Sequence, residues 1–334
     1  MDRIKYVDAL KFIAIFSIVL LHVSSIWNDI GCLGLTFDNL NEFTIFGVPL
    51  FIMVTGMLTL NREIDLEIFF KKKFVRIVYP LVFFFIIAYV LNIFSDFLTA
   101  YWYCWMIIAV YLAIPIINIF IKSASERDLE YFILMFIITS MVYSLAKTIG
   151  VQIALDMDFF IGPTAYLILG YYLSRKDFNI SPNKMVLISL TLFLIISVIK
   201  VHFMGRTYIN SNNIVYSWLN IDILQIIQTV SVFLLFRYLY SSSKGISHKI
   251  RNVLESDTIN NLIISVSRSA YGIYLLHLTL LRGYIEPYFK NIHLTGFNTF
   301  ISIWIISITL FLISWIVILI LGRIPIINRL SGYY

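Results

Sequence analysis

The 334-residue chain is 60% hydrophobic and only 13% charged, with a mean hydropathy of +0.88. A soluble globular protein needs far more polar surface, so this composition excludes one and predicts a polytopic membrane protein. The net charge of +6 is spread over the polar connections, which points to membrane orientation and contact with anionic lipid headgroups and not to nucleic acid.

The apolar runs are about 17 to 22 residues long, the length of a helix crossing a hydrocarbon core of roughly 30 Å. They lack the alternation of a membrane barrel. The expected architecture is therefore all-α, with about ten transmembrane helices near residues 7–27, 42–60, 75–95, 103–121, 131–149, 160–174, 184–203, 218–240, 263–285 and 299–321. The sixth segment is short and opens at GPTAYLILGYYL. The basic start, MDRIKYVDALKFIAIFSIVLLHV, lacks a small-residue cleavage site, so it is expected to stay as the first helix. With the N-terminus inside, the inner connections collect Arg3, Lys5, Arg62, Lys71, Lys72, Lys73, Arg76, Lys122, Arg127, Arg175, Lys176, Lys184, Lys244, Lys249, Arg251, Arg323 and Arg329. The outer ends hold only Lys147, Lys200, Arg206, Arg282 and Lys290. The bias predicts that both termini are cytoplasmic. No connection is long enough for a soluble domain; the largest inner one is SSSKGISHKIRNVLESDTINN. A single membrane domain over residues 1–334 is expected, without the internal repeat of an inverted-repeat transporter.

The first segment carries three residues that are costly in a bilayer: Asp8, Lys11 and His22. Lys11 and His22 are eleven residues apart, so at 100° per residue they lie within about 20° of one face and roughly 16 Å apart along the axis. Asp8, three residues before Lys11, can neutralise it. Lys11 snorkelling to the headgroups and His22 packing with a hydrogen bond would be the plain structural alternative. The second segment, FGVPLFIMVTGMLTL, contains Pro49, Thr55 and Gly56, residues that loosen a helix or pack it.

The third segment begins KKKFVRIVYP. Lys73 and Arg76 are i,i+3 neighbours, a pair that suits a phosphate group, with Lys72 beside them. A positive-inside anchor accounts well for Lys71 and Lys72 and less well for Arg76, which lies deeper. The fourth segment, YWYCWMIIAVYLAIPIIN, places Trp102 and Trp105 at the expected outer belt. The ninth, SRSAYGIYLLHLTLL, places Tyr274 and a second intramembrane imidazole, His277, at i,i+3. Arg282 and Glu286 follow as an i,i+4 pair. Five dispersed histidines and two cysteines match no metal spacing, so no metal is expected. Cys32 and Cys104 both fall near the expected outer face, which would allow a disulfide.

The ordered set KFIAIFSIVLLH, PLFIMVTGML, KKKFVRIVYP, WYCWMIIAVYLAIP and SAYGIYLLH resembles the acyltransferase family 3 membrane proteins, O-acyltransferases of bacterial surface polysaccharides and related glycans. The similarity covers essentially the whole chain. It implies a multi-pass protein of the bacterial cell membrane. It also implies acyl-coenzyme A as the donor, acetyl-coenzyme A by default, and a glycan or lipid-linked sugar hydroxyl as the acceptor. No tightly bound cofactor is expected. It marks His22 as the catalytic residue and Lys11 as its paired basic residue, and sets Lys73 and Arg76 where the family has an Arg-x-x-Arg element. Lysine stands at 11 and 73 in place of the commoner arginine, losing bidentate geometry. Thr55-Gly56 stands where Ser-Gly is frequent.

The chemistry fits. Acyl transfer from a thioester to a hydroxyl needs a base near pH 7, which neutral imidazole supplies, and a donor for the developing oxyanion. Tyr274, Thr55 and a Trp indole are candidates for that donor. Tyr274 and His277 complete the expected catalytic set; Lys72, Lys73 and Arg76 form the expected donor-phosphate site. The alternative from another class is a transporter or flippase of glycan precursors that uses Lys11, Asp8, His22 and His277 as a substrate or proton path.

Overall fold

The computed structural model describes residues 3–27, 40–92, 100–149, 160, 162–203, 223–289, 297–325 and 327–334. Among these residues every regular element is helical: α1 (Lys5–Ser24), α2 (Gly47–Thr59), α3 (Leu66–Val90), α4 (Trp102–Ser123), α5 (Glu126–Ile149), α6 (Pro163–Arg175), α7 (Pro182–Phe203), α8 (Ile223–Ser241), α9 (Gly245–Leu254), α10 (Asp257–Leu280) and α11 (Phe297–Arg323). Local chemistry sets several starts. The Asp65 carboxylate accepts the Ile68 N–H at 2.9 Å and caps α3. Ser125 and Asp128 exchange bonds across the first turn of α5. Pro163 opens α6, where its missing N–H costs nothing.

Eight helices among the described residues are long and apolar enough to cross a membrane. That is two fewer than the ten expected. The second span counts because it runs over Leu40–Thr59, of which α2 is the last part, whereas the sixth expected span, α6, has only 13 residues. The ninth, α10, has 24, but Ser265, Ser267, Arg268, Ser269, Tyr271, Tyr274 and His277 make it the polar exception. The crossing helices expose large apolar side chains, among them Val90 at 74% and Ile116 at 73%, as a lipid-facing surface requires. Within the largest expected inner connection lies α9, which exposes Ile246, Ile250 and Val253 on one face. Ten residues are too few to register as a span, but the pattern is that of an interfacial helix.

The chain divides into two compact units. The first comprises residues 1–10, 48–63 and 110–256, with α7 and α8 its most extensive helix pair. There α2 and α6 meet through glycine: a Cβ on Gly170 would stand 2.1 Å from the Met53 carbonyl oxygen, and one on Gly56 1.9 Å from that of Leu167. Gly56 thus serves close packing. Pro49 sits in the first turn of α2, where it breaks no helical bond. The Thr55 hydroxyl donates to its own helix, at Phe51 O, 2.9 Å away. Gly170→Val forces backbone apart from backbone, so a loss of about 3 kcal/mol or more is expected. Thermal unfolding in detergent, followed by size-exclusion chromatography, checks it; an unchanged midpoint would refute this packing.

Charged groups of the first unit are mostly paired. Arg3 grips both oxygens of Asp8, at 2.7 and 2.8 Å. Lys122 meets Glu63 at 2.7 Å, and Lys176 meets Glu126 and Glu130 at 2.6 and 2.7 Å. The two carboxylates hold the Lys176 ammonium charged above its ordinary range. Lys200, placed by sequence among outer-end cations, is fully buried near the end of α7. Its ammonium donates to Gln228 Oε1 at 3.4 Å, and Gln228 Nε2 donates to Ser197 Oγ at 2.9 Å. These side chains of α7 and α8 supply the polar surroundings a buried ammonium requires.

The second unit comprises residues 11–47, 64–109 and 257–334. Here α10 packs along α11 and against α3. Phe12 and Phe16 of α1 meet Phe311 of α11 edge-on, with ring centroids 6.0 and 5.4 Å apart. This unit holds all the intramembrane imidazole and most of the site residues expected from sequence.

Candidate functional site

Two helices of the second unit bring the intramembrane histidines together. The His22 ring, near the end of α1, lies 5.4 Å from the His277 ring of α10, centroid to centroid. His22 is half-buried, whereas His277 is fully buried. His277 Nδ1 lies 2.9 Å from the Ile273 carbonyl oxygen, which can only accept. Nδ1 therefore carries the proton in the neutral ring, and Nε2 presents a lone pair. That Nε2 is buried and has no hydrogen-bond partner among the described residues. A base atom is thus held, unused, beside the more accessible imidazole.

Aromatic hydroxyls line α10 on the approach to this pair. Tyr274 lies 5.7 Å from His277 and 5.1 Å from Tyr103, ring to ring. Its buried hydroxyl lies near the Tyr103 backbone without a hydrogen bond of normal geometry. Tyr101 donates to Leu275 O at 2.7 Å and contacts Thr279 Oγ1 at 2.6 Å. One turn towards the N-terminus of α10, the Tyr271 hydroxyl donates to Ile77 O at 3.0 Å and lies 3.6 Å from Cys104 Sγ. Cys104 is a buried free thiol; Cys32, its expected disulfide partner, lies outside the described residues.

Ile77 is the residue after Arg76, and Arg76 lines a groove of about 500 Å³ with Ile68, Lys71, Lys72 and Val75 of α3. Its opposite wall is the segment after α11: Asn328, Arg329, Tyr333 and Tyr334. Of the donor-phosphate residues expected from sequence, Arg76 and Lys72 line the groove. Lys73 does not; its ammonium stands 5.7 Å over the Phe69 ring. Spacing alone put Lys73 with Arg76, but Phe69, one turn back, engages it. Lys71, read as an anchor, does line the groove. Lys11 is half-buried on the unbroken α1, about 16 Å along the axis from His22, so it is not brought to the histidine pair. Asp8, expected beside Lys11, takes its two described bonds from Arg3. Arg282 and Glu286 form the expected pair at 2.6 Å.

Sequence reading missed Tyr101, Tyr103, Arg329 and Tyr334. The two tyrosines were hidden in an apparent aromatic belt, and the last two follow the final apolar run. No curated protein and no solved structure shows significant similarity to this chain. Residues 4–319 match the acyltransferase domain of acyltransferase family 3. That match runs through α1, with His22, and through α10, with Tyr274 and His277, and it displaces the transporter reading. The chain belongs to acyltransferase family 3 and is a multi-pass membrane acyltransferase.

Proposed function

We propose that this acyltransferase moves a short acyl group, acetyl by default, from acyl-coenzyme A to a hydroxyl of a cell-surface polysaccharide or lipid-linked glycan. The membrane is the bacterial cytoplasmic membrane, with the donor on its inner side. The supporting observation is the pairing of half-buried His22 with fully buried His277, whose Nε2 is unused.

The more accessible His22 takes the proton of the acceptor hydroxyl as its oxygen attacks the thioester carbonyl. The carbon–sulfur bond breaks, a new ester forms, and the departing thiolate recovers the proton from His22. No further reactant is needed. His277 holds a lone pair beside the ring that gains charge, and the buried Tyr274 hydroxyl, on a ring 5.7 Å from that of His277, is the candidate to donate to the developing oxyanion. Acyl-coenzyme A is a substrate in this reading, not a resident cofactor. Its phosphates occupy the groove of Lys71, Lys72 and Arg76. The Tyr334 N–H is bonded to Arg268 O at 2.9 Å, so this residue marks the level of the groove wall on α10. From Arg268 to His277 is nine residues, about 14 Å of helix, a distance an extended pantetheine arm can cover.

Calorimetry of acetyl-coenzyme A binding to the full chain in nanodiscs tests the donor site. Arg76→Ala is expected to weaken binding about tenfold or more, since it removes a charge-assisted contact, while His22→Ala leaves it unchanged. Absence of binding by folded wild type, to both acetyl- and succinyl-coenzyme A, would overturn the reading.

A further inference from the structure

The groove has a wall that lies beyond the family match, which ends at residue 319. Four cations line the groove, Lys71, Lys72, Arg76 and Arg329, and no Asp or Glu side chain does. Among the described residues none of the four is engaged in an ion pair. Elsewhere in this protein exposed cations are repeatedly matched by carboxylates, as at Lys122 and Lys176. Four unmatched cations around about 500 Å³ call for a compact polyanion. A phosphate monoester carries roughly two negative charges at pH 7, so one phosphoryl group would leave the groove strongly positive.

The segment that carries Arg329 is built to sit here. A Cβ on Gly272 would lie 2.3 Å from the Ser331 carbonyl oxygen, so α10 receives this segment at backbone distance. The Tyr333 ring covers Gly322. Tyr334 makes three connections at once. Its N–H reaches Arg268 O at 2.9 Å on α10. Its ring faces the Arg76 guanidinium, 5.2 Å from the centroid. Its hydroxyl shares its proton between Val75 O at 3.2 Å and Arg329 O at 3.1 Å. Burial raises this phenol to about 12, against an opposing pull from Arg76, so it remains a donor at working pH. One side chain therefore links the backbone of α3, the guanidinium of Arg76 and the backbone of Arg329.

We propose that Arg329 is a phosphate-binding residue and Tyr334 the positioning residue that sets the spacing of Arg76 and Arg329, so that the groove selects a ligand with two phosphoryl groups. This rests on the donor-site reading above and extends it to residues outside the matched family domain. Two sources offer that chemistry: the bisphosphorylated nucleotide end of the acyl donor, and the headgroup of a two-phosphate lipid such as cardiolipin.

The probe for the first source is adenosine 3′,5′-bisphosphate, titrated calorimetrically into full-length protein in zwitterionic nanodiscs. Adenosine 5′-monophosphate is the single-phosphate comparison. Wild type is expected to prefer the bisphosphate. Arg329→Ala weakens it about tenfold and flattens the salt dependence, with little change for the monophosphate, while Arg329→Lys recovers part of the loss. Tyr334→Leu has a similar effect; Tyr334→Phe, which keeps the ring on Arg76, loses much less. Arg329 is exposed, so its replacement leaves folding intact.

If wild type binds acetyl-coenzyme A through Arg76 but Arg329→Ala and Tyr334→Leu leave bisphosphate binding unchanged, this proposal is wrong and the donor site stands. If no nucleotide binds, and native mass spectrometry shows Arg329-dependent retention of cardiolipin, the two-phosphoryl site stands and the donor reading falls. Absence of both overturns both.

Discussion

Alanine in place of His22 is expected to lower acyl transfer by about 100- to 10,000-fold, the usual contribution of a positioned general base, with donor binding intact. The split between the two readouts is what distinguishes a base from a packing residue. His22 is half-buried in a layer where a second imidazole and several phenols converge. Its removal is expected to leave the groove of Lys71, Lys72 and Arg76 untouched, since His22 is not among the residues that line it. Transfer is measured with radiolabelled acetyl-coenzyme A against a panel of glycan acceptors, and binding by calorimetry. Full transfer by His22→Ala would remove His22 from the mechanism. Loss of binding together with transfer would make it a structural residue.

Replacing His277 should separate its two nitrogens. His277→Asn can keep a donor directed at Ile273 O, as Nδ1 now provides, and removes the Nε2 lone pair. His277→Gln places an amide nearer the Nε2 position and gives up the bond to Ile273. If the bare Nε2 supports the proton chemistry of His22, Asn restores folding but not transfer, with a loss of about 100-fold. If the ring serves only to satisfy Ile273 and fill space, Asn is nearly active and Gln is unstable. Melting temperature measured alongside transfer decides between these outcomes, because the two nitrogens are assigned opposite consequences. A buried, unfilled acceptor is itself costly, so stability of the Asn variant at or above wild type would agree with a functional reason for the histidine.

Much of this protein was legible before any tertiary contact was known. Apolar runs of spanning length name the membrane and the helices, because the bilayer leaves backbone polar groups no other partner. The ordered motifs around His22, Arg76 and His277 name the family, and the match over residues 4–319 agrees. The i,i+4 pair Arg282–Glu286 followed from helical geometry alone. Short-range rules left open which groups each side chain meets in space. Lys73 and Arg76 share a helical face by spacing, yet Phe69 engages one and Tyr334 the other. Lys200 reads as an outer-end cation because it ends an apolar run, and its burial beside Gln228 is visible only in the structure. Hydropathy and length leave α10 out of the eight spans, although its Ser267, Ser269, Tyr274 and His277 are buried within the protein.

Composition, periodicity and motif order by themselves determined that the chain is a helical membrane acyltransferase with imidazoles in its first and ninth apolar segments. These are properties of single segments, set by the cost of exposing backbone or charge to hydrocarbon. Only the tertiary structure decided that the two imidazoles are 5.4 Å apart, that His277 turns a bare nitrogen into a buried site, and that Arg329 and Tyr334 face Arg76 across one groove. Residues 255 positions apart, as His22 and His277 are, meet through the packing of α1, α3, α10 and α11, and no local spacing rule contains that distance.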